Sequence, residues 1–222
     1  MPDLKLVIFD CDGVLVDSER ISNGVLADLL TAEGLTTTLA QARAAYQGLL
    51  LAEVQERAQA SLGKRLANNW LIRFEQERVR AFERDLRPIE GADEMLRIVR
   101  SAGLDICVAS QGKIEKTQLT LGLTGLRDHF EDRAIFSAEQ VARGKPYPDL
   151  FLHAASVMGA HPAQCVVVED TPSGVRAGVA AAMRVFGYAA DSEPAALIES
   201  GAEVFWRLTE LPRLLALGRV QV

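Results

Sequence analysis

Four acidic residues stand in two short motifs, Phe9-Asp10-Cys11-Asp12-Gly13 and Val168-Glu169-Asp170-Thr171-Pro172-Ser173-Gly174. Each pair follows an apolar run, so each falls where a strand would end. In extended geometry, period-two alternation turns Asp10 and Asp12 to one side and Cys11 to the other. Carboxylates held close together repel, and they are tolerated where a cation neutralises them or one is protonated. Brought together, Asp10, Asp12, Glu169 and Asp170 would form an oxygen-rich site suited to Mg²⁺, a hard cation that takes carboxylate, water and phosphate oxygens. Taken alone, Asp-x-Asp-Gly fits a turn of solvated acidic residues equally well.

Two more segments carry chemistry of the opposite sign. Ala109-Ser110-Gln111-Gly112 offers a hydroxyl and backbone N–H groups ahead of a helical pattern, an arrangement suited to an anion. Arg143-Gly144-Lys145-Pro146-Tyr147-Pro148-Asp149 offers Lys145 in a loop stiffened by two prolines. Singly these are weak signals, since a Ser before a helix is usually a cap and a loop Lys is usually solvated. Their shared place after successive strands makes Ser110, Gln111, Gly112 and Lys145 the candidate phosphate-binding residues.

The elements that must position these groups follow from periodicity. Unalternating apolar runs at 4–9, 105–109 and 165–168 read as strands buried on both faces, with weaker candidates at 134–136, 184–188 and 203–206. Helical patterns separate them: Met95, Leu96, Ile98 and Val99 share one apolar side, and Gly103 sits where a helix C-terminal glycine belongs. Thr171 and Pro172 read as the cap and first residue of a helix running to about Met183. This rhythm predicts a doubly wound α/β fold, a Rossmann-like parallel sheet. From Asp17 to Arg87 the rhythm breaks into helical spacing alone, as in Ile21, Val25, Leu29 and in Leu66, Trp70, Phe74. The expected organisation is therefore an α/β core of residues 1–16 and 88–222 with an inserted all-helical cap at 17–87.

Composition limits the function classes. The 222 residues are 49% hydrophobic and 24% charged, which excludes general disorder. A formal charge of −6 argues against a nucleic-acid surface, which needs clustered Lys and Arg, but leaves room for a local cation pocket and a small anion. No stretch approaches the ~18 apolar residues of a membrane span. Met1-Pro2-Asp3-Leu4-Lys5 lacks the features of a secretory signal. Cys11, Cys107 and Cys165 are odd in number, lack metal-ligand spacing and lie in or beside apolar runs. Buried thiols in a reducing compartment, and hence a cytoplasmic protein, are expected.

The ordered set Asp-x-Asp-Gly, a post-strand Ser, Gly-Lys-Pro and Glu-Asp before Ser-Gly-Val-x-Ala-Gly resembles the haloacid dehalogenase superfamily, over nearly the whole chain. Within it the chain looks like the capped phosphatase and phosphoglucomutase branch, and most like bacterial sugar-phosphate phosphatases. The resemblance implies that Asp10 is a nucleophile forming an aspartyl-phosphate and that Asp12 is the general acid/base. It implies that Ser110, backbone groups near Gln111 and Gly112, and Lys145 hold the phosphoryl group. Mg²⁺ would be held by Asp10, the Asp12 backbone carbonyl, Glu169 and Asp170. Gln111 stands where relatives often carry Asn or Ser, and Tyr147 where a smaller residue is common; packing on its own loop is the reading favoured for Tyr147.

The expected partner is a small phosphorylated metabolite, with no nucleic acid or membrane, acted on by a monomer or weak homodimer. Arg20, Gly48 and Leu51 are the candidate substrate contacts from the cap. Leu51 matches the place of an Arg that, in mutase relatives, holds the second phosphate of a bisphosphate, so hydrolysis is expected rather than isomerisation. A β-phosphoglucomutase-type isomerase is the main alternative. A receiver-type signalling module is more remote, having no use for the helical insertion or the second carboxylate.

Overall fold

A computed structural model describes residues 3–46, 49 and 51–217. After β1 (Leu6–Phe9) come the helices α1 (Ser18–Ala32), α2 (Leu39–Tyr46), α3 (Leu51–Leu62) and α4 (Trp70–Asp85). The chain continues through α5 (Ala92–Ser101), β2 (Asp105–Ser110), α6 (Ile114–Leu123), β3 (Ile135–Ser137), α7 (Asp149–Val157) and β4 (Cys165–Glu169). It ends with α8 (Pro172–Ala180), β5 (Arg184–Tyr188), α9 (Pro194–Glu199), β6 (Glu203–Phe205) and α10 (Leu211–Leu214). Each of the six expected apolar runs forms a strand.

The strands make one parallel sheet in the order β3-β2-β1-β4-β5-β6. The order reverses at β1, with β2 on one side and β4 on the other, and such a switch point opens a crevice at the strands' C-terminal ends. Phe9 pairs with Val108 on β2 and with Val168 on β4. Asp10, one residue on, is therefore level with Ala109 and Glu169. Its backbone N–H continues the ladder to Val168 O at 2.9 Å.

All four residues of β1 and all five of β4 are buried, as expected for strands covered on both faces. Leu6, Ile8, Cys107, Ala109 and Val167 share a core with Leu150, Phe151 and Ala154 of α7 and Val175 and Ala177 of α8. Gly103, at φ +82°, ends α5 in the left-handed conformation that glycine adopts readily. Thr171 caps α8 as expected, accepting the Gly174 N–H at 3.1 Å, with Pro172 at the first position.

The chain divides into two compact units, residues 1–16 with 87–222, and residues 17–86. Arg87 falls with the α/β unit rather than the helical one. The backbone just after it is tied to the 12–16 segment, since Ile89 N–H donates to Leu15 O at 2.9 Å and Pro88 bridges Val16. The helical unit has its own core of Leu26, Leu29, Leu30, Tyr46, Val54, Trp70 and Phe74, with the Trp70 and Phe74 rings stacked at 6.2 Å. Leu66 joins this core although α4 begins only at Trp70; its N–H is held by Gln59 Oε1 at 3.0 Å.

Close packing of α8 on the sheet rests on Gly178. A Cβ there would stand 2.6 Å from Val185 Cγ2 and 3.4 Å from Val167 Cβ, and β-branched side chains give little way. Gly178→Ala should lower the unfolding free energy by about 1–3 kcal/mol through overpacking. Gly122→Ala, in open space on α6, should raise it by about 0.5–1 kcal/mol. Urea denaturation of both variants checks the contrast.

Candidate active site

The C-terminal ends of β1, β2 and β4 collect the motifs. Asp10 and Glu169 are side by side across the β1–β4 pair, and the Lys145 ammonium bridges them at 2.5 Å to Asp10 Oδ1 and 2.6 Å to Glu169 Oε1. The three side chains are only 5%, 9% and 1% exposed for Lys145, Asp10 and Glu169 respectively. Burial pushes the Asp10 carboxyl up to about 7, while Lys145 pulls it the other way. Burial also works against the charge of Lys145, but Asp10 and Glu169 outweigh it and hold the ammonium protonated well above its usual range.

Asp12 turns to different partners. Its Oδ1 is ion-paired with Lys116 of α6, and its Oδ2 accepts from Ser110 Oγ at 3.3 Å. Cys11 faces away, with its sulfur 3.8 Å from Thr120 Oγ1. Lys116 and Thr120 are one turn apart on α6, so a single helix face holds both Cys11 and Asp12. Burial raises the Cys11 thiol well above its usual range, which makes it an inert packing group.

The chain reverses immediately after Asp12. Leu15 and Val16 N–H groups both donate to Cys11 O, and Gly13 takes φ +83°. A Cβ at Gly13 would lie 2.2 Å from Asp170 Oδ2, so the turn and the Asp170 carboxylate are packed directly together. Only glycine satisfies both the backbone angle and the space.

Glu169 is held closely by its own turn and by Lys145. Its Oε2 accepts Asp170 N–H, Thr171 N–H and Thr171 Oγ1–H, each at 2.9 Å, while Oε1 faces Lys145. A Cβ at Gly174 would come within 1.8 Å of Oε1, so the carboxylate is seated on the first turn of α8, where the helix dipole favours an anion. Among the described residues no three His, Cys, Asp or Glu side chains group as a metal site by themselves. The four expected carboxylates thus make different contacts within the protein. Glu169 orients Lys145 and the β4–α8 turn, Asp12 faces Lys116 and Ser110, and Asp10 and Asp170 remain as candidate carboxylate ligands.

The anion-binding segment also differs in detail. α6 begins at Ile114, four residues after Ser110. Ser110 Oγ accepts the Gly112 N–H at 3.0 Å, and Ser137 Oγ donates to Gly112 O at 2.8 Å, fixing the loop. The Gln111 side chain does not face this segment, because its Oε1 accepts the Lys145 backbone N–H at 2.9 Å. Tyr147 packs within its own loop, with the Arg143 guanidinium 4.4 Å from its ring centre.

Asp10, Asp12, Ser110, Gln111, Gly112, Lys145, Glu169 and Asp170 are thus brought to one sheet edge. Arg20 and Leu51 belong to the helical unit. Arg20 is 60% exposed and pairs with Asp17 at 2.9 Å, and Leu51 packs against the core of the helical unit. Gly48 lies outside the described residues. Lys116 escaped the motif reading. For Lys116 the available signal was its place beside the buried Thr117-Thr120-Leu121 face of α6. The histidines have structural roles: His129 Nε2 meets Asp93 at 2.7 Å, His153 stacks edge-on to Phe136, and His161 accepts the Ala163 N–H.

Comparison with known proteins agrees with this geometry. The chain is 31% identical to the 6-phosphogluconate phosphatase of Escherichia coli, over 96% of each chain. It superposes on a HAD family hydrolase of Deinococcus radiodurans crystallised with phosphate and sodium, at a TM-score of 0.83 and 32% identity, over 97% of this chain and 96% of that one. A Thermotoga maritima structure provisionally described as a beta-phosphoglucomutase aligns at a TM-score of 0.83 and 26% identity, over 96% and 99% of the two chains. The haloacid dehalogenase-like hydrolase model matches residues 4–182, a span that begins just before β1 and runs past the Glu169-Asp170 motif. With its sheet order and its ordered carboxylates and lysine accounted for by that match, the chain belongs to the haloacid dehalogenase-like hydrolase family.

Proposed function

We propose that this hydrolase is a Mg²⁺-dependent phosphatase acting on a small sugar or sugar-acid monophosphate through an aspartyl-phosphate on Asp10. The buried Lys145–Asp10 contact carries the reading. It opposes the protonation that burial favours at Asp10, and it holds a cation where a transferring phosphoryl group would carry charge. The 6-phosphogluconate phosphatase relative, matched from end to end, supports the substrate class.

In this reading an Asp10 oxygen bonds to phosphorus as the bond to the leaving oxygen breaks, and Asp12 gives that oxygen a proton. Asp12 then takes a proton from water, whose oxygen bonds to phosphorus while the Asp10–phosphorus bond breaks and releases phosphate. Two displacements replace one difficult hydrolysis. Lys145, Ser110 and the backbone of the 110–112 loop receive the phosphoryl oxygens.

The donor set fits Mg²⁺, which is commonly held by one or two carboxylates with waters and substrate phosphate. Asp10, Asp170 and the Asp12 backbone carbonyl would hold it. Lys145 pairs with Asp10 and Glu169, and Lys116 with Asp12, in a carboxylate-rich site whose charge a divalent cation would offset. When bound, it supplies charge neutralisation for the phosphate oxygens. The helical unit is taken as the cap domain. Free, buried Cys11, Cys107 and Cys165 suit a reducing, cytoplasmic setting, and among the described residues no helix is long and apolar enough to cross a membrane.

The isomerase alternative needs a cation for a second phosphate, and Leu51, given over to packing, cannot replace an Arg–phosphate pair. With β-glucose 1-phosphate and a trace of the 1,6-bisphosphate, free phosphate should therefore accumulate faster than glucose 6-phosphate; the reverse order would establish the mutase. Asp10→Asn should cut kcat by at least about a thousandfold while leaving the thermal midpoint close to wild type. Residual turnover above that level in a contaminant-free preparation would exclude the covalent route. Excess chelator should abolish hydrolysis and added Mg²⁺ restore it, as read by phosphate release; undiminished turnover in chelator would remove the metal from the reaction.

A further inference from the structure

We infer that Gln111 is a positioning residue for Lys145, acting through its side-chain amide, and that Gly144 is glycine to admit it. The inference rests on the phosphatase reading for its consequence, but the tie itself is geometric. Gln111 directly follows Ser110, at the end of β2, and its Oε1 accepts the backbone N–H of Lys145 at 2.9 Å. A Cβ at Gly144 would meet the amide nitrogen, oxygen and carbon of Gln111 at 2.5, 2.6 and 2.9 Å, so the amide lies flat on the Gly144 backbone.

This contact joins two loops that are otherwise separate in sequence. One carries Ser110 and Gly112, anchored by Ser137. The other carries Lys145, anchored at its far side by Arg143, which pairs with Asp149 at 2.9 and 3.1 Å. Lys145 must reach both Asp10 and Glu169 from a loop, and a long side chain delivers its charge accurately only if its backbone is held. Arg143 is solvent-exposed and Asp149 partly so, and such a pair holds weakly. The Gln111 amide is the link from the backbone of Lys145 itself to the sheet edge that bears Ser110. A small misplacement of a charged group at a reacting centre has large kinetic effects.

Three variants separate this role from direct phosphate binding. Gln111→Met keeps length and removes the acceptor. Gln111→Glu keeps the acceptor. Gly144→Ala leaves Gln111 in place but drives its amide aside, at little cost in stability because the displaced group is the end of a flexible side chain. Amide hydrogen exchange at Lys145, measured without ligand, should quicken about 3- to 10-fold in Gln111→Met and Gly144→Ala, the loss of one hydrogen bond, and stay near wild type in Gln111→Glu. Inorganic phosphate should bind about 3- to 10-fold more weakly to Gln111→Met. In a Lys145→Ala background the same change should cost less than about twofold, because the partner it positions is gone.

Equal exchange in all variants overturns the inference. So do phosphate-binding losses that add fully in the double variant, which would make Gln111 a ligand in its own right. The exchange measurement uses no substrate, so it decides the Gln111–Lys145 tie even if the wild-type protein hydrolyses no phosphomonoester, an outcome that would instead overturn the proposed function.

Discussion

A buried ammonium between two buried carboxylates governs this site. Lys145, Asp10 and Glu169 are almost completely removed from solvent, and an isolated charge in such a place carries a desolvation penalty of several kcal/mol. Such an arrangement requires a close partner of opposite sign for each charge and donors for the lone pairs that remain. Glu169 meets that demand with three donors on its second oxygen. The sheet meets it by placing β1 beside β4, which brings Asp10 and Glu169 level. The loop ahead of α7 meets it by delivering Lys145 to both carboxylates.

Space is the second constraint, and it explains three glycines at once. Carboxylates or an amide lie against Gly13, Gly174 and Gly144, each at a distance no Cβ would allow. Backbone is thereby brought into contact with polar side-chain ends, leaving no room for water between them. A site so packed has few ways to rearrange, which suits phosphoryl transfer, where positioning and fixed charge do most of the catalytic work. The second ion pair, Lys116 with Asp12, extends the same logic to the neighbouring carboxylate.

These contacts also separate residues that the motifs present together. Glu169 and Asp170 are adjacent in sequence and identical in charge type, yet one is saturated by protein donors and the other rests over Gly13. Nothing in Glu-Asp-Thr-Pro distinguishes them until Thr171 closes back on Glu169 at the start of α8. Gln111 was grouped with Ser110 for its backbone, and its side chain reaches the Lys145 loop instead.

The sequence by itself determined the local elements. Short apolar runs without alternation, set between helical patterns, read as strands covered on both faces, and spacing of Leu29 or of Trp70 and Phe74 at helical period marks the inserted helical unit. Turn and cap chemistry at Gly103, Thr171 and Pro172 was equally local, and so was legible. Only the tertiary structure decided the pairings. Lys116 meets Asp12 across 104 positions, Gln111 meets Lys145 across 34, and Lys145 meets Asp10 across 135. Such contacts depend on which strands become neighbours and which way each loop returns, properties of the whole sheet that no short segment encodes.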